Sequence, residues 1–85
     1  MREKEYLFNL TKTLKNKECK RCANLILNCK NKEDILEILK KCQGFNLHLS
    51  KRVLENFDEV SFEYLLEKIV SEFVEFIFRL PPCKR

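Results

Sequence analysis

Residues 17–29 read KECKRCANLILNC. Cys19, Cys22, Ile26 and Cys29 follow one another at spacings of three, four and three. That is the repeat of a helix burying one face, with lysines and asparagines left for the opposite side. The thiols therefore occupy positions where a core wants small apolar groups. A matching series, Ile35, Ile38, Leu39 and Cys42, follows after the polar break at Lys30-Asn31. Together the two series predict an antiparallel helical hairpin, with Ile26 opposite Ile35, Cys22 opposite Leu39 and Cys19 opposite Cys42.

Working outward, three more helices can be drawn. The first covers about Glu3 to Leu14 and buries Leu7, Leu10 and Leu14. Asn31 is expected to cap the third helix by accepting from the amide of Asp34, and Gly44 to close it in the left-handed conformation, with Phe45 folding back on Leu39. A fourth helix is expected over Leu47 to Phe57. Asp58 or Ser61 then caps a long fifth helix that stops at Pro81-Pro82. The chain has 85 residues, one glycine and two prolines, too few turn formers for a many-stranded sheet. The expected fold is all-α: a compact bundle of four to five helices with a long C-terminal helix. One domain over residues 1–80 and a short frayed tail over 81–85 complete the reading.

The fifth helix is apolar over a wide arc. One stripe holds Phe62, Leu65, Leu66, Ile69, Phe73, Phe76, Ile77 and Leu80. A second holds Val70, Val74 and Phe78, which makes these three the candidate contact with a protein partner or a second copy of the chain. Charged residues interrupt Val60 to Leu80 at Glu63, Glu67, Lys68, Glu72, Glu75 and Arg79, so the stretch is not a membrane span. No signal peptide is recognisable at the N-terminus. The expected setting is cytoplasmic, with thiols reduced.

Charge is uneven along the chain. Residues 1–52 hold 13 Lys and Arg against 6 Asp and Glu, whereas residues 53–85 hold 4 against 7. Lys12, Lys15, Lys17, Lys20, Arg21, Lys30 and Lys32 crowd around the second helix. This is an alternative site, able to neutralise nucleic-acid phosphates with little base selectivity. Cys19-Lys20-Arg21-Cys22 suggests a third reading, a metal or redox module built on Cys19, Cys22 and Cys42, with His48 or Cys83 as a fourth ligand. The helical period and the lack of a second close pair favour free buried thiols over that reading, and over a Cys19–Cys42 disulfide. Cys22 beside Arg21 has too little access and no assured base to serve as a nucleophile. The third and fourth helices, with Gly44 between them, have the outline of a helix-turn-helix. Lys40, Gln43 and Ser50 stand where that motif wants small or apolar residues. No phosphate loop, paired carboxylates or hydrolase signature appears, so neither an enzyme nor a cofactor is expected. The leading expectation is a protein-interaction or assembly module whose last helix can pair with its own copy in a homodimer.

Overall fold

Four of the helices begin on a side chain that accepts from their own first amides. Asn16 accepts from Glu18 N and Cys19 N, at 2.8 and 3.2 Å. Asn31, Ser50 and Ser61 accept from Asp34 N, Val53 N and Tyr64 N. Each satisfies amides that a helix start leaves without a partner. The structure, a computed structural model, describes residues 2–85. In chain order it contains α1 (Arg2–Thr11), α2 (Lys17–Leu27), α3 (Lys32–Lys41), α4 (Lys51–Glu55) and α5 (Phe62–Arg79). Short 3-10 turns cover Gln43–Phe45 and Pro82–Lys84. No strand occurs among the described residues.

The long fifth helix is central. Leu65, Leu66, Ile69, Phe73 and Ile77 are fully shielded from solvent, and α1, α2 and α3 all pack against it. At 1.5 Å per residue its 18 residues make a pillar about 27 Å long. α1 runs alongside in the same direction: Arg2 and Glu3 share a groove with Glu67 and Val70, while the residues just after α1 meet Arg85. Val70 is only 5% exposed. It belongs to the core of this chain, which corrects the expectation that the whole second stripe faces outward. The cause is α1, which lies along that side of α5.

Three local expectations change. Gly44 is not left-handed; the positive φ falls at Asn46, at 57°. After α3 the chain tightens into a 3-10 turn, with Phe45 N donating to Cys42 O, so the reversal is postponed to Asn46. Asparagine tolerates that conformation better than most side chains. Phe45 reaches α5, its ring 5.6 Å from Phe73 and 5.3 Å from Phe76.

The fourth helix is the second change. It is limited to Lys51–Glu55, and Leu47 to Ser50 are irregular. Burial alternates there: Phe45, Leu47 and Leu49 point inward, while Asn46, His48 and Ser50 are exposed. The backbone amide of His48 donates to Glu72 Oε2 at 2.8 Å instead of to a helical carbonyl. A helix-turn-helix is therefore not formed. The third change is the tail, expected to fray. Arg85 O accepts from Lys15 N and Asn16 N, both at 3.0 Å. Arg85 Nε donates to Ile77 O and Leu80 O, closing the end of α5.

Phe73 has no solvent exposure and sits where all the packed helices meet. Phe73→Ala should lower stability by about 3–5 kcal/mol, a large part of the total for a domain of this size. Asn16→Ala should cost about 1 kcal/mol. Urea unfolding followed by circular dichroism measures both.

Candidate functional site

The cysteines come first because the sequence reading began with them. Cys19, Cys22, Cys29 and Cys42 are all buried, Cys83 is exposed, and all five are free thiols. Burial pushes the Cys22 thiol far above the ordinary range, helped by contact with the Cys42 thiol. Burial likewise raises Cys19, with the Glu18 carboxylate adding to it. Cys29 is raised by burial despite the opposing charge of Lys4.

Cys42 thus pairs with Cys22, not with Cys19. Cys42 has left the helix, with φ −116° and ψ 39°, and this turn geometry carries its side chain toward Cys22. Among the described residues no three Cys, His, Asp or Glu side chains come together to hold a metal ion. Cys19, Cys22 and Cys42 do not form the metal group considered from the sequence. Protonated and enclosed, these thiols act as small apolar fillers.

The seven basic residues singled out in the sequence do not form one patch. Lys30 in the α2–α3 connection and Lys32 at the start of α3 lie at the far end of α2 from the other five. Lys32 Nζ donates to Phe57 O and Asp58 O, both at 2.9 Å, and so ties α3 to the residues after α4. Arg21 is bonded to Glu18 and donates to Lys41 O at 3.1 Å; the Glu18 bond raises its pKa further. Lys12 lies 4.9 Å over the ring of Phe8.

The same contacts bring in cations that the sequence reading left out. Arg21 on Lys41 O places Lys40 and Lys41 beside the start of α2. Arg85 on residues 15 and 16 brings Lys84 to the same end. Lys15, Lys17, Lys20, Lys40, Lys41 and Lys84 are all exposed there. Among the described residues none of them is ion-paired; the pairs are Arg21–Glu18, His48–Glu72 and Arg79–Glu75. No local sequence signal joins these segments, because the contacts that do so span 20 residues or more.

The α5 candidates divide by exposure. Val70 is buried, Val74 partly buried, and Phe78 51% exposed. Tyr6 of α1, 53% exposed, extends the apolar strip. Tyr6, Val70 and Val74 floor a groove of about 450 Å³, rimmed by Glu3, Glu67 and Glu75 against Arg2. Beyond it, the Arg85 guanidinium lies 5.1 Å over the Phe78 ring. A wider depression of about 650 Å³ lies between α4 and the start of α5. It carries Arg52 and Glu59 but no convergent set of reactive groups. No helix among the described residues is long and apolar enough to cross a membrane. Comparison with family models, curated proteins and solved structures finds no match to the chain.

Burial of the thiols yields an alkylation pattern and a pH dependence. Cys83 should react with a maleimide at once, and the other four only as the protein opens. Cys22→Ala should cost about 1 kcal/mol, and Cys22→Asp should unfold the chain. Because the folded thiols are raised above the ordinary 9.0, the unfolded chain loses their protons first. Stability is then intact below about pH 9 and falls as pH rises through it, by up to about 1.4 kcal/mol per pH unit per thiol. Urea midpoints across this range should fall more gently in Cys22→Ala than in the parent chain.

Proposed function

We propose that the chain is a self-associating interaction module, and that its α1–α5 face receives the same face of a second copy. The observation that carries this reading is the open apolar strip of Tyr6, Val74 and Phe78. It lies directly over the most deeply buried helix of the fold. A core helix with apolar side chains left toward solvent is the pattern of a face completed by another chain.

Charge supports a second copy in antiparallel orientation. Glu63 and Glu67 stand two turns before Val70 and Val74 and so on the same side of α5, while Arg79 is held by Glu75 and Arg85 by the last carbonyls of the helix. Two such helices crossing antiparallel near Val74 keep the Glu63 and Glu67 of each copy apart. Val70 and Phe78, each four residues from Val74, then lie level across the pair. A parallel pairing would stack like charges instead, at a cost. The long side of the molecule, 39 by 23 Å, has room for the roughly 800 Å² per partner that stable interfaces bury. The role is binding and assembly rather than catalysis.

Sedimentation velocity of the chain and of Tyr6→Glu/Phe78→Glu tests the reading. Both side chains are about half exposed, so the variant should keep its helical circular dichroism. The wild type should sediment as a dimer at micromolar concentration, and the variant as a monomer, its dimer weakened by about two orders of magnitude. A wild type that stays monomeric at high micromolar concentration defeats the proposal.

A further inference from the structure

The basic end of the molecule is a separate surface, and the α1–α5 groove uses none of its lysines. Part of its charge has a structural task. The C-termini of α1, α3 and α5 all point toward this end, and cations there offset the negative ends of the helices. Two side chains do this directly: Arg21 donates to Lys41 O, and Arg85 donates to Ile77 O, Phe78 O and Leu80 O. The lysines are additional. Lys17 and Lys20 on the first turn of α2, and Lys40 and Lys41 on the last turn of α3, keep their ammonium groups in solvent. Glu18, the carboxylate on the first turn of α2, is held by Arg21 at 3.0 Å. Such an excess repels itself and lowers stability in the free protein. A polyanion removes that cost.

At the same end lies a cleft of about 560 Å³, lined by Asn16 and Arg21, by Gly44, by Phe76 and Leu80, and by Lys84, the one exposed lysine of this group that borders it. Glu18 also lines it, with its charge matched by Arg21. At Gly44 nothing lies within 4 Å of where a Cβ would stand, so the wall there is bare backbone facing open space. Exposed cations near a cleft that holds the half-buried ring of Phe76 suit a chain that carries phosphates and unstacked bases together. An acidic peptide offers no flat ring for the cleft, and a duplex keeps its bases stacked.

We propose that this end binds single-stranded nucleic acid, with Lys17, Lys20, Lys40 and Lys41 on successive phosphates and a base resting in the cleft between Arg21, Gly44 and Phe76. Binding is little selective for sequence, because the groups lining the cleft offer a surface more than a hydrogen-bond pattern.

Fluorescence anisotropy with a labelled oligouridine tests this, against a duplex of equal length and with polyglutamate as competitor. Four phosphate contacts predict that the affinity falls about 50-fold between 50 and 200 mM salt. Lys17→Glu/Lys20→Glu/Lys41→Glu should weaken binding by about two orders of magnitude. Lys30→Glu/Lys51→Glu/Lys68→Glu, with the same change of net charge at the other end, should leave it within about threefold. Gly44→Glu, whose Cβ meets nothing within 4 Å, should cost about tenfold and addresses the cleft even if the triple variant folds poorly. Equal losses in the two triple variants overturn the site. So do tighter binding to duplex, equal displacement by polyglutamate, or no binding at low salt.

Discussion

Burial of α5 is the interaction on which the rest of this structure depends. Leu65, Leu66, Ile69, Phe73 and Ile77 have no solvent exposure, and α1, α2 and α3 each take their position from them. A chain this short has little apolar area to spare, so one thoroughly enclosed helix is worth more than several half-enclosed ones. The core is correspondingly dry. None of the described polar or charged residues is buried, and among the described residues no buried side-chain nitrogen or oxygen lacks a partner. Four buried cysteines complete it.

Around that core, basic side chains act as long-range ties to backbone carbonyls. Lys4 of α1 donates to Cys29 O after α2, at 2.6 Å. Arg21 of α2 reaches the end of α3, and Lys32 of α3 reaches the residues after α4. Arg85 closes α5. Each satisfies acceptors that a helix or turn leaves open, and each places positive charge at the negative end of a helix. Four of the seventeen Lys and Arg residues are thereby accounted for by the architecture. What stands out is the set of lysines that do none of this and still gather at one end.

The third and fifth helices were legible because each carries both a period and a start signal. Asn31 and Ser61 cap where a residue of that type precedes an apolar run, and the stripe from Leu65 to Ile77 is unambiguous. Gly44 was misleading: glycine permits a left-handed turn but does not require one, and the 3-10 turn deferred it to Asn46. Leu47 and Leu49 are two apart, a spacing that a short helix and an extended stretch both allow. Glu72, 24 residues away in sequence, decides between them. The lysine cluster was half-legible for the same reason. Lys17 and Lys20 are neighbours in sequence, but Lys40, Lys41 and Lys84 join them only through tertiary contacts. The thiol register shifted because Cys42 lies just past the last helical residue, where helical spacing no longer applies.

The alignment of α1 with α5 also orders the events of synthesis. α1 leaves the ribosome first, yet the surface it covers is made last, and ribosomes add about 5–20 residues per second. For several seconds α1 has only α2 to lean on. During that interval the hairpin of α2 and α3, with short-range contacts, can form alone, its thiols uncovered until α5 arrives. Their chance of meeting an oxidant is therefore set by the pace of translation more than by the finished fold.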